Sequence, residues 1–200
     1  MPVTTLYDYQ LAMLHPMCTS APAQAAELLD RIGATRSDTA ISENRWFYGH
    51  AINRFCSIAE YVTAWGAPDS SRVVRNGDHE TRYAGWDLPF WPGLQLEFME
   101  FSNHLRPFKS LVRRHDAPQV RASVADLTPW SCTVGEFHDG TLGPTTAVDG
   151  FGGVGYLAAV RELDPDSGAD RIYWAHFDHG LLQYVEPAPE AYIWEPTQNL

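Results

Sequence analysis

The amino-acid sequence predicts a single α+β domain in which a helix-rich part, residues 1–115, precedes a strand-rich part, residues 116–200. Helix formers and capping residues are concentrated in the first part, whereas period-two alternation and turn residues dominate the second. Because the two element types are segregated instead of alternating, we expect helices followed by a mostly antiparallel sheet. A length of 200 residues suits one domain with a sizeable core.

Two helices are predicted in the first part. The first is expected to begin after Ser20, a candidate N-cap with a proline two residues later, and to end at Gly33. The second is predicted over residues 43–66 with Ser42 as its cap, because apolar and aromatic side chains recur there at helical spacing. The segment 67–85 is expected to be a loop or a short hairpin, and the aromatic segment 88–116 is expected to be partly helical.

Strands are predicted in the second part, where runs of β-branched and aromatic residues are separated by turn residues. Residues 153–163 fit either a strand or a helix. Alternation along the third predicted strand places Trp174 and His176 on one face and Tyr173 and Phe177 on the other, which we expect to be buried. The predicted strands are residues 119–127, 131–137, 171–177 and 181–186.

The charge of the chain limits the classes of partner. The net charge is −11 and the pI is about 5.0, which disfavours nucleic acid and anionic membrane because both would be repelled. From Glu136 to Leu200 there are eleven acidic residues against two arginines. This concentration favours either a solvated acidic surface or a docking surface for a basic protein. The oligomeric state is left open by the sequence.

The cysteines and the hydropathy pattern predict a cytoplasmic protein. Cys18, Cys56 and Cys132 are odd in number and widely spaced, which favours reduced thiols over a disulfide framework. The first residues lack the basic and apolar regions of a signal peptide, and no apolar run is long enough for a membrane span.

A glycine motif raises the question of a nucleotide. The run DGFGGVG contains G-x-G-x-x-G from Gly150 to Gly155 and resembles the first βαβ unit of dinucleotide-binding proteins. However, only 22 residues lie after Asp178, too few for the further βα units of that fold, and Asp149 would repel a phosphate. We therefore expect no cofactor, and a structural turn at the glycines.

Two similar turns, residues 137–140 and 177–180, carry histidine and aspartate side chains. If these turns are neighbours, their side chains form a candidate site for a metal or for general acid–base chemistry. Cys132 paired with one of the histidines is a candidate nucleophile and base. Under this alternative the protein is a small-molecule enzyme, most simply a hydrolase. The candidate side chains are His138, Asp139, His176, Asp178 and His179.

Residues 152–179 resemble a segment of a family of bacterial immunity proteins, in which a glycine-rich run enters a strand and the next strand ends in a His/Asp pair. The resemblance implies a non-enzymatic inhibitor that docks a protein partner. Together with the acidic composition it predicts a binding protein with an acidic, aromatic-rich surface, in preference to the hydrolase. The candidate binding residues are Asp164, Asp166, Asp170, Trp174 and Trp194.

Overall fold

The fold was analysed on a computed structural model, which describes residues 4–48, 55–101, 106–117, 123–150, 155–164 and 168–194. The chain divides into two compact units, Met1–Ala117 and Pro118–Leu200. Each unit holds helical segments followed by a four-stranded antiparallel sheet, so the predicted α+β class is confirmed. The single-domain organisation stays a prediction. Within the described residues no helix is long and apolar enough to cross a membrane.

The first unit begins with four α-helices. Helix α1 begins after Thr5, whose hydroxyl accepts from the backbone N–H of Asp8 (3.2 Å). Ser20 was predicted to cap the next helix; this is wrong, because Ser20 ends α1 and Ala21 occupies the N-cap position without a side-chain hydrogen bond. Gly33 ends α2 in the left-handed conformation, as predicted. The helices are α1 (Leu6–Ser20), α2 (Pro22–Ile32), α3 (Arg36–Glu43) and α4 (Ile58–Trp65).

The helix predicted over residues 43–66 is divided in the structure. Helix α3 ends at Glu43 and continues as a π-helical turn, Asn44–Tyr48, whereas α4 begins only after Ser57. Ser57 interrupts the predicted helix because its backbone is extended. Its hydroxyl caps α4 by accepting a hydrogen bond from the N–H of Glu60. Residues 49–54 of the predicted helix lie outside the described residues.

The first sheet is a meander in the order β1-β2-β3-β4. The predicted hairpin is confirmed as β1–β2, with Gly77 at a φ of 59° in its turn. The prediction of a partly helical segment 88–116 is wrong for its described residues. Leu94, Leu96 and Phe98 alternate with more exposed residues, so the period is two and the segment forms β3 and β4. The strands are β1 (Ser70–Asn76), β2 (His79–Asp87), β3 (Leu94–Phe101) and β4 (Phe108–Arg113).

A buried carboxylate organises the polar part of the first core. Asp8 accepts hydrogen bonds from the hydroxyl of Ser42 (2.7 Å), the guanidinium of Arg45 (2.6 Å) and the indole N–H of Trp46 (2.7 Å). Asp8 is itself buried and Trp46 is fully buried. The cluster therefore links α1 to the end of α3 and the π-helical turn, and it satisfies the buried donors of Ser42 and Trp46.

The second unit carries a 3₁₀ turn (Val124–Asp126), a short helix α5 (Val134–Phe137) and the meander β5-β6-β7-β8. The strands predicted at 171–177 and 181–186 are confirmed as β7 and β8. Residues 153–163, for which the sequence allows a strand or a helix, form a strand over their part from Tyr156 onwards. The strands are β5 (Thr145–Gly150), β6 (Tyr156–Leu163), β7 (Asp170–Asp178) and β8 (Leu181–Pro187).

The two other predicted strands, at 119–127 and 131–137, are wrong where the structure describes them. Each contains a capping box that turns the chain into a helical turn instead. In the first, Ser123 and Asp126 exchange hydrogen bonds between side chain and backbone; in the second, Thr133 and Glu136 do so. Residues 118–122 lie outside the described part.

One face of the second sheet packs on the core of this unit. The alternation predicted for β7 is confirmed for Phe177, which is buried, and Tyr173 packs against the same core while partly exposed. The core residues come from three strands and from the segment around α5. The buried members are Val124, Cys132, Phe137, Leu142, Ala158, Val160, Ala175, Phe177 and Leu182.

Candidate functional site

The opposite face of β7 and β8 carries the polar and aromatic side chains on which the binding prediction rests. Strand alternation directs Trp174 and His176 away from the core, and the register places Glu186 opposite Trp174 and Tyr184 opposite His176. Asp170 lies on the same face at the start of β7. These five residues are hereafter the outer patch.

The centre of the outer patch is a stacked pair of rings. The imidazole of His176 and the phenol of Tyr184 lie 4.1 Å apart between centroids at an angle of 16°, and His176 Nε2 lies 2.9 Å from Glu186 Oε1. Partial burial, followed by the nearby carboxylates of Glu186 and Asp178, raises the pKa of Tyr184. Tyr184 is 39% exposed, so the stack offers an accessible aromatic surface. The carboxylates of Glu186 and Asp178 make the electrostatic potential at this surface negative.

The two predicted tryptophans occupy different environments. Trp174 is half-buried and contacts Tyr192 edge to face at 5.7 Å between centroids. Its indole nitrogen is buried and has no hydrogen-bond partner among the described residues. Trp194 lies under the guanidinium of Arg161, 5.5 Å from the ring centroid. Only part of each ring is accessible, so neither presents its full area to a partner.

The three predicted aspartates differ in accessibility. Asp164 is buried and forms an ion pair with Arg171. The pair links the end of β6 to the start of β7, so Asp164 does not present its charge on an exposed surface. Asp170 is accessible, with half of its side chain exposed and 3.6 Å to Arg161. Asp166 lies outside the described residues.

Two of the three histidines of the hydrolase alternative, His138 and His176, lie on opposite sides of the second sheet. His138 Nδ1 contacts the hydroxyl of Thr145 (2.7 Å) and Nε2 contacts that of Tyr156 (2.9 Å), whose ring packs against the core. Burial lowers the pKa of His138, which favours the neutral ring. His176 belongs to the outer patch, so the sheet separates the two rings.

The remaining candidates of that alternative are also dispersed. Asp139 accepts a hydrogen bond from the N–H of Thr141 in its own turn, and His179 adopts a φ of 49° in the turn that joins Asp178 to β8. In the described part of the chain, no three His, Cys, Asp or Glu residues lie together as metal ligands do. Cys132 is fully buried and its thiol donates to its neighbour's carbonyl, as expected for a structural cysteine.

The glycine motif forms the connection between β5 and β6. Gly150 ends β5 at a φ of 98°, and a Cβ on it would meet the carbonyl oxygen of Gly155 far inside contact distance. Glycine is required at 150 because of this close approach and the positive φ. Residues 151–154 lie outside the described part. The motif leads into strand β6 and not into a helix, whose N-terminus would bind the phosphate in a dinucleotide fold.

Sequence reasoning missed a groove at one end of the second sheet. The groove has a volume of about 670 Å³ and lies between the 3₁₀ turn and the ends of β6, β7 and β8. One wall of the groove is the 3₁₀ turn that begins after Ser123. This turn lies in a segment that the sequence pattern predicted to be a strand. The capping box of Ser123 and Asp126 is the sequence signal that would have predicted this turn. We call this feature the edge groove.

Comparisons with known proteins give little further information. No family model matches the chain, and no curated protein matches it. Among solved structures, a candidate beta-lactamase inhibitor protein from Streptococcus mutans shows 12% identity and a TM-score of 0.26, covering 66% of this chain and 82% of that one. A TM-score this low does not establish a shared fold, so this likeness carries no argument.

Proposed function

We propose that the protein is a non-enzymatic binding protein of the inhibitor type, whose outer patch docks a basic protein partner. The observation that carries the proposal is the stacked pair of His176 and Tyr184 with the carboxylate of Glu186 beside it, on a strand face that begins at the half-exposed Asp170. Aromatic surface held rigid by its neighbours loses little entropy on binding and forms the energetic centre of protein interfaces. Carboxylates around such a centre select partners of positive charge.

The distribution of charge supports the choice of a basic partner. The second unit has twelve acidic residues against three arginines, whereas the first unit has thirteen against eleven basic residues. Most of the net charge of −11 therefore belongs to the unit that carries the outer patch. Long-range attraction by such a surface accelerates the encounter with a cationic protein. The cytoplasmic location fits the three free cysteines and belongs to the proposal.

Capture from a lysate of the native host, followed by titration, tests the proposal. The immobilised protein is expected to retain a basic protein, and the Tyr184→Ala variant is expected to bind that protein at least about tenfold more weakly, mainly through faster dissociation. Val73→Ala serves as the matched control because Val73 is also an exposed strand residue, but lies in the first unit. Equal affinity of the wild type and Tyr184→Ala would refute the outer patch as the docking surface.

A further inference from the structure

The edge groove combines apolar walls with a carboxylate. Its apolar walls include Val124, Leu127, Tyr173 and Val185. Glu162 lines it at the end of β6, and Arg171 also lines it, with its guanidinium paired to Asp164. A volume of about 670 Å³ lies in the range of ordinary ligand sites. The groove therefore offers apolar contact together with a negative charge, a combination that suits a ligand with an aliphatic stem and a cationic end.

Beside this groove, one stretch of the β8 backbone has no hydrogen-bonding neighbour on its outer side among the described residues. The N–H of Ala188 donates to the carbonyl of Ile172 (2.9 Å). In an antiparallel ladder every second residue of a strand bonds to its partner strand, so this bond shows which residues of β8 point their backbone groups toward β7. Glu186 and Tyr184 thus direct their backbone groups toward β7, whereas Val185 directs its N–H and C=O away from β7. Such outward groups on an edge strand are the usual acceptors and donors for an added strand.

The first half of the same edge is already occupied. The N–H of Leu182 donates to the carbonyl of Cys132 (2.9 Å), and the carbonyl of Leu182 accepts from the N–H of Trp130 (2.8 Å). The segment preceding α5 therefore covers the start of β8. The edge groove begins farther along the strand, at Val185 and Pro187. An added strand thus has a defined place beside the second half of β8.

The charge of Glu162 is not neutralised within the described chain. One carboxylate oxygen accepts from the backbone N–H of Val124 (3.2 Å), and no ion pair joins Glu162 to an arginine in the described part of the chain. Arg171, its cross-strand neighbour, is paired with the buried Asp164 instead. A carboxylate beside apolar walls favours an incoming guanidinium or ammonium group.

We propose that the edge groove binds an extended segment of a basic partner, which pairs with the backbone of Val185 and places an arginine or lysine beside Glu162. This inference rests on the proposed function for the identity of the partner, and adds a second contact to the outer patch. The occupant is chosen by charge complementarity and by the outward backbone of β8. Side chains of the added strand would alternate between solvent and the groove, where successive groove-facing positions meet the apolar walls and Glu162.

A synthetic nine-residue peptide with serine at every second position, and valine and arginine in turn at the positions between, tests the inference on the full-length protein. Titration of isotope-labelled protein is expected to shift the amide signal of Val185 and to slow its hydrogen exchange. Glu162→Gln keeps an acceptor for Val124 but removes the charge, and is expected to weaken binding about tenfold, the value of one charge-assisted hydrogen bond. Glu190→Gln, an exposed neutralisation elsewhere in the unit, is the control and should bind like the wild type.

Three results would overturn the inference: no binding up to about 1 mM peptide, an unchanged Val185 amide in the complex, or equal affinities of Glu162→Gln and Glu190→Gln. A peptide in which glutamate replaces arginine should not bind. Failure of this inference differs from failure of the proposed function. If Tyr184→Ala weakens the native partner but Glu162→Gln does not, only the groove is refuted. If the peptide protects Val185 while Tyr184→Ala leaves the partner unaffected, only the outer patch is refuted.

Discussion

Replacement of Asp8 by alanine should destabilise the first unit more than any surface substitution. The substitution removes the acceptor of three hydrogen bonds, from Ser42, Arg45 and Trp46. The indole N–H of Trp46 would be left without a partner in a fully buried position, and the guanidinium of Arg45 would lose its counter-charge. A buried donor left without its acceptor costs about 1–3 kcal/mol, and Trp46 and Ser42 are buried whereas Arg45 keeps contact with solvent, so we expect a total loss of about 3 kcal/mol in the free energy of unfolding.

Urea unfolding followed by tryptophan fluorescence measures this loss, with two controls. Asp8→Asn removes the charge and one of the two acceptor oxygens but keeps the other, so it should cost less, about 1–2 kcal/mol. Asp38→Ala removes a fully exposed carboxylate from the capping box of α3 and should cost less than either replacement of Asp8. A loss below about 1 kcal/mol for Asp8→Ala would contradict the view that this carboxylate organises the first core.

Three further outcomes are expected. Gly150→Ala should destabilise the protein by about 2 kcal/mol or more in thermal unfolding because its Cβ meets backbone atoms at a positive φ, whereas Gly135→Ala, in open space within α5, should not destabilise it. Phe177→Ala should cost about 3–5 kcal/mol in urea unfolding and Phe108→Ala, which is exposed, less than about 1 kcal/mol; equal losses would contradict the assigned core. Burial lowers the pKa of His138, so the unfolded chain binds more protons and stability should fall as pH drops below about 6.5; His138→Gln should flatten this dependence between about pH 7.5 and 5.

The elements predicted correctly are those for which several local features of the sequence indicate the same structure. Strands β7 and β8 were predicted because alternation and turn residues agree there, and α2 because good helix formers end at Gly33. The prediction for segment 88–116 failed because its aromatic residues occur near helical spacing, while packing on the sheet has a period of two. Aromatic side chains occur in both helices and strands. The choice between the two is therefore determined by which residues are buried together on one face.

The candidate site was predictable only in part, since it depends on contacts between distant positions. Alternation alone placed His176 and Trp174 on one face of β7. The stacking of His176 on Tyr184 also requires the bulge between His176 and Phe177, which sets the β7–β8 register and leaves no sequence signal. Asp164 was expected on the surface because acidic residues are mostly exposed, but its pairing with Arg171 permits burial.

The salt dependence of association with the captured basic partner tests the central claim most directly. Stopped-flow rates would be compared for the wild type and for a variant carrying Asp170→Lys and Glu186→Lys, over a range of salt concentrations. Carboxylates that steer a cationic partner act on the association rate, so we predict a rate about tenfold lower at low salt and a shallower salt dependence for the variant. An association rate that responds neither to salt nor to the two reversals would contradict docking of a basic protein on the outer patch.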